Sequence, residues 1–166
     1  MKRLIGLIVT MLAAGVMLVS GAGTASAAPT TQTGPQILWT GPVAISRSGD
    51  TVTVSGIYRC SAPLNEMHLW VSVKQGGPDP TAEGSSSTVD AWYDTNVSQD
   101  VAVTCNGRWQ FASVELGRHD TDFTGRPLGY LHNGNAWLQF CLVQGTTEEN
   151  AIVASKSRWV RVVGVH

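Results

Sequence analysis

The sequence predicts an all-β fold: a single antiparallel Ig-like β-sandwich of about seven to eight strands, after an N-terminal signal helix. Three observations favour it: short stretches of alternating apolar and polar residues, turn residues between them at regular spacing, and little helical pattern beyond the first 27 residues. A small β-barrel is the alternative architecture. The predicted organisation is a signal peptide over residues 1–27, a disordered lead-in over 28–36 and the sandwich domain over 37–166.

The N-terminus has the composition of a secretory signal peptide. Lys2 and Arg3 precede an uncharged apolar run over residues 4–20, and Ala25 and Ala27 match the small-residue pattern of a cleavage site. A retained membrane anchor is the alternative, because the run is near the lower limit of about 17 residues for a bilayer span. We expect cleavage after Ala27 and a secreted, extracellular protein with no further membrane contact.

The charge balance of the remaining chain argues against two classes of partner. Of the eleven basic residues, Lys2 and Arg3 lie in the signal peptide, so nine remain against twelve acidic ones. No stretch forms a basic stripe, and nucleic acids and anionic membranes are therefore poor partners. The length suits one domain with its own core.

The strands are predicted from their period-two alternation. They lie at residues 43–46, 50–60, 67–75, 100–105, 109–116, 136–144 and 155–163. The segment 91–99 is ambiguous between a short helix and an edge strand. Long polar or Gly-rich loops are expected at residues 76–90 and 117–135.

Two local features are predicted around the strand at residues 109–116. The Asn106-Gly107 pair favours a tight hairpin between residues 100–105 and 109–116. The apolar phase slips between Phe111 and Val114, which indicates a β-bulge. Trp109, directly after the turn, is assigned to the core.

Three cysteines follow the signal peptide, so one must be left over from any single disulfide. Cys60 and Cys105 lie in phase with the valines of their strands, whereas Cys141 lies on the face opposite Leu138 and Phe140. The phase therefore favours a Cys60–Cys105 bridge, which would contribute about 4 kcal/mol in the chain-entropy model. Cys141 is the odd thiol, either buried in a second apolar layer or exposed and able to bridge a dimer.

Several stretches resemble a family of small secreted actinobacterial proteins with a domain of unknown function. They are "GDTVTVSGIYRC", "VSVKQ" with a Gly-rich loop after it, "VAVTCNGRW" and "LHNGNAWLQF", within about residues 43–143. The resemblance implies an Ig-like β-domain with a disulfide between Cys60 and Cys105, and it implies no activity. Asn133 stands where the family usually has Pro, and Cys141 is additional.

An enzymatic or metal-binding role has little support in the sequence. No nucleophile elbow, zinc-protease, P-loop or Ser-x-x-Lys motif is present, so no catalytic residue, metal ligand or cofactor is predicted. His119, Asp120 and Asp122 could hold a cation or act as acid and base, but such clusters are usually solvated loop residues. A hydrolase with a dispersed triad ranks last.

Binding is the favoured function because the sequence has six tryptophans, more than one small core requires. Trp70 and Trp137 point away from the main apolar phase of their strands and could form a stacking platform. Trp92 and Tyr93 adjoin the long loop and form another candidate ligand edge. The alternative is that loops cover all four. The expected partner is an extracellular protein, a glycan or a small hydrophobic ligand, the last as in a carrier resembling actinobacterial chromoprotein apoproteins.

Overall fold

The strands pair into a closed ring rather than into two separate sheets. The computed structural model describes residues 34–61, 67–82, 88–98, 101–145 and 151–164. The strands are β1 Gln36–Ile45, β2 Thr51–Arg59, β3 Met67–Gln75, β4 Ala91–Asp94, β5 Val101–Ala102, β6 Gln110–Arg118, β7 Gly134–Gln144 and β8 Ala151–Gly164, and the helical turn α1 is Thr95–Ser98. Neighbours follow the order β4-β6-β2-β1-β8-β7-β3, and β4 also pairs with β3. Seven strands therefore form a barrel, and β5 extends the edge of β3 beside it.

This closure corrects the predicted Ig-like sandwich, while the all-β class is confirmed. The closing strand is β4, which pairs with β3 over four residues and with β6 through Tyr93 and Asp94. All pairings in the ring are antiparallel except β1 with β8, which is parallel and spans only residues 43–45 against 162–164. The segment that closes the barrel is the one whose sequence was ambiguous, since four residues are too few to show a period.

Inward side chains from all seven strands fill the barrel. The core follows the alternation of the sequence, with inward positions at Val52, Val54 and Tyr58 on β2. Gly56 continues this inward series, and a Cβ there would lie 2.6 Å from Cζ of Phe140. The missing side chain of Gly56 leaves room for the Phe140 ring, so the interior is a packed core.

Three local predictions for residues 100–118 are wrong. β5 pairs with β3 instead of forming a hairpin with β6, although Gly107 does take the positive φ of a turn. β6 pairs with β2 in unbroken register over eight residues, so the predicted bulge is absent there. Phe111 breaks the apolar phase because its side chain points outward, and Trp109 is likewise exposed rather than in the core.

The disulfide between Cys60 and Cys105 is confirmed. Gly107 N donates to Cys60 O at 2.8 Å, which reinforces the same junction between the end of β2 and the turn before β6. Cys141 is buried on the outward side of β7, so a bridge from it to a second chain would require that side of the barrel to open.

The predicted signal peptide and most of the predicted lead-in lie outside the described residues. The part of the lead-in that is described ends in β1, which starts at Gln36, seven residues before the strand predicted at 43–46. Within the described part of the chain, no helix has the length and apolarity that crossing a bilayer requires.

Candidate functional site: an outward aromatic face

The outer surface of β1, β2 and β6 carries a row of large apolar side chains in register. Trp39 on β1 pairs with Ile57 on β2, and Ile57 pairs with Phe111 on β6. Ile57 points outward because its neighbours Gly56 and Tyr58 point into the barrel, and paired residues lie on the same face of a sheet. We call Trp39, Ile57, Phe111 and the adjoining Arg59 and Trp109 the aromatic face.

The rings of the aromatic face are accessible to solvent. Phe111 is 66% exposed, Trp109 42% and Trp39 41%, while Ile57 between them is half-buried. Scattered surface hydrophobes are ordinary, but a contiguous apolar patch of this kind commonly marks an interaction site. The rings share one face, and their spacing is set by strand pairing rather than by mobile loops.

Side-chain contacts hold Arg59, Trp109 and Trp39 in their positions on the aromatic face. The Arg59 guanidinium carbon lies 4.7 Å from the centre of the Trp109 ring, in cation–π geometry. Arg59 Nη2 also donates to Gln36 Oε1 at 2.9 Å, which links β2 to the start of β1. Trp39 lies over Gly41, where a Cβ would come within 2.8 Å of the indole.

Beside the aromatic face, β1 and β8 separate into a cleft. The pairing of β1 with β2 has register shifts between Ile37 and Trp39 and between Thr40 and Val43. The pairing of β1 with β8 is limited to residues 43–45. Lys156 Nζ crosses the seam and donates to Leu38 O at 3.1 Å. The cleft has a volume of about 520 Å³ and is lined by Pro35, Gln36, Ile37, Leu38, Trp109, Ala154, Ser155 and Lys156.

The sequence placed its candidate ligand residues elsewhere on the barrel. Trp92 is only 3% exposed: its Nε1 donates to Ser72 Oγ at 2.9 Å, and its ring packs on His119 and Phe123. Tyr93 is fully buried inside the barrel, where its hydroxyl donates to Gly49 O at 2.6 Å. Burial raises the pKa of that hydroxyl above its usual value.

The other two predicted residues, Trp70 and Trp137, do point outward and are half-buried. Trp137 packs edge-on against the exposed Trp159 of β8, with ring centres 5.5 Å apart. Neither indole belongs to the aromatic face, since β3 and β7 lie on the other side of the β1–β8 seam. As ligand-binding residues these four stay predictions.

The three loop residues weighed as a cation or acid–base site each face a different partner. Asp120 pairs with Arg118, and His119 Nε2 lies 3.0 Å from the fully buried Asp94 Oδ1, without hydrogen-bond geometry. Asp122 accepts a hydrogen bond from the Thr124 hydroxyl, which, together with Arg126, holds the pKa of Asp122 well below its usual range. No cluster of three such ligands that could hold a metal occurs among the described residues.

Sequence reasoning missed Trp39, Trp109 and Phe111 as candidate binding residues. A signal for Phe111 was present, because the apolar phase slip marks an aromatic residue on the polar face of a strand. Because the slip was interpreted as a bulge, an exposed ring at Phe111 was not predicted. Trp39 had no such signal, since the bulges in β1 hide its alternation.

Comparisons with protein-family models, curated proteins and solved structures found no significant match to this chain. The resemblance to a secreted actinobacterial family therefore stays a prediction, and functional inference depends on the molecule's own surface.

Proposed function

We propose that the chain is a secreted binding domain that holds an extracellular partner on its aromatic face. The observation that carries the proposal is the exposed row of Trp39, Ile57 and Phe111 in strand register. Exposing such side chains on a small domain has no structural benefit, because water contact forgoes about 25 cal/mol for each Å² of apolar surface. The extracellular location is supported by the predicted signal peptide and by the disulfide, which suits an oxidising compartment.

The rigid backbone below the face favours binding over catalysis. β2 is hydrogen-bonded on both sides, to β1 and to β6, and the disulfide fixes its end. Rings held on such a surface lose little conformational entropy when a partner binds. None of the aromatic-face residues is a nucleophile or a carboxylic acid, so stacking and charge pairing are the chemistry it offers.

The test is co-sedimentation of the purified protein with envelopes of the source cells. We expect the wild-type protein to pellet and Phe111→Ala to stay in the supernatant. Phe123→Ala is the matched control, because Phe123 is 61% exposed but packs against Trp92 outside the aromatic face. Failure of the wild type to pellet, or equal pelleting of both variants, would refute the proposed function.

A small-ligand carrier is the second candidate, and the cleft between β1 and β8 favours it. Its volume of about 520 Å³ lies within the roughly 300–1,000 Å³ range of drug-sized ligand sites, but the cleft is open to solvent and would enclose a ligand only in part. A carrier should purify with a bound small molecule, visible as extra mass in native but not in denatured mass spectrometry. Protein that purifies without added mass, yet sediments with envelopes, would favour the aromatic face.

A further inference from the structure

We propose that the seam between β1 and β8 binds one extended peptide strand of a partner protein, with acidic side chains at alternate positions. The added strand would lie between the two edges and pair with both. Of the residues that line the cleft at this seam, only Trp109 belongs to the aromatic face. The inference therefore goes beyond the proposed function, and either can fail without the other.

The seam is bordered by two strand edges that lack a strand partner. β1 pairs with β2 along its length but with β8 only over residues 43–45, and β8 pairs with β7 over residues 151–162. Within the described part of the chain, no strand pairs with the other edge of residues 36–42 or of residues 151–161. Such an edge presents its unpaired N–H and C=O groups in a row, which is what an added peptide strand requires.

The separation of the two edges suits one strand. Paired strands lie about 4.8 Å apart, so two edges with one strand between them lie about 10 Å apart. Lys156 Nζ donates across the seam to Leu38 O at 3.1 Å, and a lysine with its four-carbon stem and one hydrogen bond reaches about that distance. The open part of this gap is the cleft, lined by Ile37 and Leu38 on one side and by Ala154 and Ser155 on the other. Lys156 thus supplies to a β1 carbonyl the hydrogen bond that an inserted strand would supply.

The inward side of the seam is cationic. Lys156 pairs with Phe140 and Arg158 with Leu138, and both β7 residues are fully buried in the core, so the two cations point to the inward side of the wall. Val162, an inward residue further along β8, is fully buried where β8 pairs with β1. Arg158 is nevertheless exposed and Lys156 half-buried, since no strand closes the wall beside them.

Strand period and charge together select an acidic strand. Lys156 and Arg158 are two residues apart, so they meet alternate side chains of a strand laid beside β8. Neither β1 nor β8 contains an acidic residue, and the Arg158 guanidinium has no hydrogen bond or ion pair among the described residues. A second copy of either edge would therefore bring no counterion. Inward charges at an edge also deter unwanted pairing, and an acidic strand is the kind that these two cations would attract.

The test is a titration with capped seven-residue peptides, the length of the free β1 edge at residues 36–42, followed by tryptophan fluorescence because Trp109 lines the cleft. The probes alternate Thr with Glu, with Gln or with Lys. A fourth replaces two internal Thr residues of the Thr–Glu peptide by Pro, which keeps the charge and removes two N–H donors. We expect the Thr–Glu peptide to bind, the Thr–Gln and proline-containing peptides to bind about tenfold more weakly, and the Thr–Lys peptide more weakly still.

Two arginines of β8 form a matched pair of variants. Arg158→Gln should weaken binding of the Thr–Glu peptide by about tenfold and leave the Thr–Gln peptide unchanged. Arg161→Gln should bind like the wild type, because Arg161 is exposed on the outward side of the same strand. Circular dichroism and melting curves for each variant establish that it is folded.

Hydrogen exchange reports the strand pairing itself. Addition of the Thr–Glu peptide should protect backbone amides in residues 36–42 and 151–161, which a contact between charges alone would not do. Phe111→Ala should bind this peptide like the wild type, because Phe111 does not line the cleft.

Four other outcomes overturn the inference. Equal binding of the Thr–Glu and proline-containing peptides would mean that the seam attracts negative charge without strand pairing. Binding of no probe would leave the two cations as protection of an edge. A dimer of the protein that blocks the peptide would assign the seam to a second copy, and a co-purified small molecule that the peptide cannot displace would assign it to a carrier. Sedimentation with envelopes through Phe111 tests the proposed function separately in each case.

Discussion

Two outward surfaces of the barrel both carry aromatic side chains, but one surface is buried and the other is exposed to solvent. On β3 and β4 the outward Ser72, Lys74 and Trp92 are buried, whereas on β1 and β6 the outward Trp39 and Phe111 are exposed. The buried surface has a cover: Lys74 Nζ donates to Ala82 O at 2.7 Å, and Val89 and Leu128 form a small apolar cluster with Trp92. The described residues place no comparable cover on the aromatic face.

The inward or outward direction of a side chain on its strand does not by itself determine whether the side chain is buried. Trp92 and Trp39 both lie outside the barrel wall, but only Trp92 has its indole N–H paired, with Ser72. A loop that covers an outward surface turns its aromatic residues into a second, smaller core. An uncovered surface leaves the same residue type available to a partner, and the following predictions test this difference.

The largest difference is expected between Trp92→Ala and Trp39→Ala. Trp92→Ala removes a buried aromatic ring and should reduce the free energy of unfolding by about 3–5 kcal/mol. Trp39→Ala should cost about 1 kcal/mol or less, because its ring is partly in water already. Chemical denaturation of both variants measures the difference.

Trp92→Phe serves as the control for the covered surface. It keeps most of the apolar contact with His119 and Phe123 but leaves the buried Ser72 hydroxyl without the indole donor. Its loss should be intermediate, with about 1–3 kcal/mol attributable to the unsatisfied group. Similar stabilities for Trp92→Ala and Trp39→Ala would mean that the two surfaces are equally open in solution.

The next effect is that of removing the disulfide, which lies next to the aromatic face. Replacing Cys60 and Cys105 with Ala should lower the free energy of unfolding by about 2–4 kcal/mol. Hydrogen exchange should increase mainly at the end of β2 and around Asn106, whereas the covered surface near Trp92 should change little. Cys141→Ala is the control, since it closes no loop, and uniform loss of protection would contradict the local role.

A smaller effect is expected on the pH dependence of stability, through the buried Tyr93 of β4. Because burial raises the pKa of Tyr93 above 10.0, the folded protein keeps the phenol proton to a higher pH than the unfolded chain. Between the pKa of the tyrosine in the unfolded chain and its higher pKa in the folded protein, the unfolded state binds fewer protons. The free energy of unfolding therefore falls as the pH rises through this window. Denaturation curves at increasing alkaline pH should show this decline.

Tyr93→Phe isolates that contribution. The variant should start less stable, because it lacks the hydrogen bond to Gly49 O, and should lose less stability with rising pH. A decline equal to that of the wild type would assign the alkaline sensitivity to other groups.

These surfaces also show how much the sequence could predict. The shared phase of Cys60 and Cys105 favoured the bridge that the structure shows, although only Val101–Ala102 of the strand predicted at 100–105 forms a strand. The same rule failed at Phe111, because it assumes that every apolar residue points inward. An exposed ring and a bulge that turns it inward give identical patterns in one sequence, and only the register of β6 with β2 separates them.

Barrel closure depends on long-range contacts that do not show in the alternation of apolar and polar residues along the sequence. β4 contributes four residues, all buried, so both of its faces are covered and no alternation appears. Its pairing with β3 and β6 at once is a long-range property, and the sandwich and barrel predictions differ only there. The cover over Trp92 is similarly non-local, because it includes Leu128, which is far from Trp92 in the sequence, as well as Val89.

The smallest expected effect is the sharpest test of the uncovered surface. Phe111→Ser should change the free energy of unfolding by about 0.5 kcal/mol or less, because a ring that is already 66% exposed has little burial to lose. Phe123→Ser should cost somewhat more, since the Phe123 ring lies 5.0 Å from that of Trp92. A larger loss at Phe111 than at Phe123 would mean that the aromatic face is covered in solution, and a face covered by the protein itself has no room for a partner.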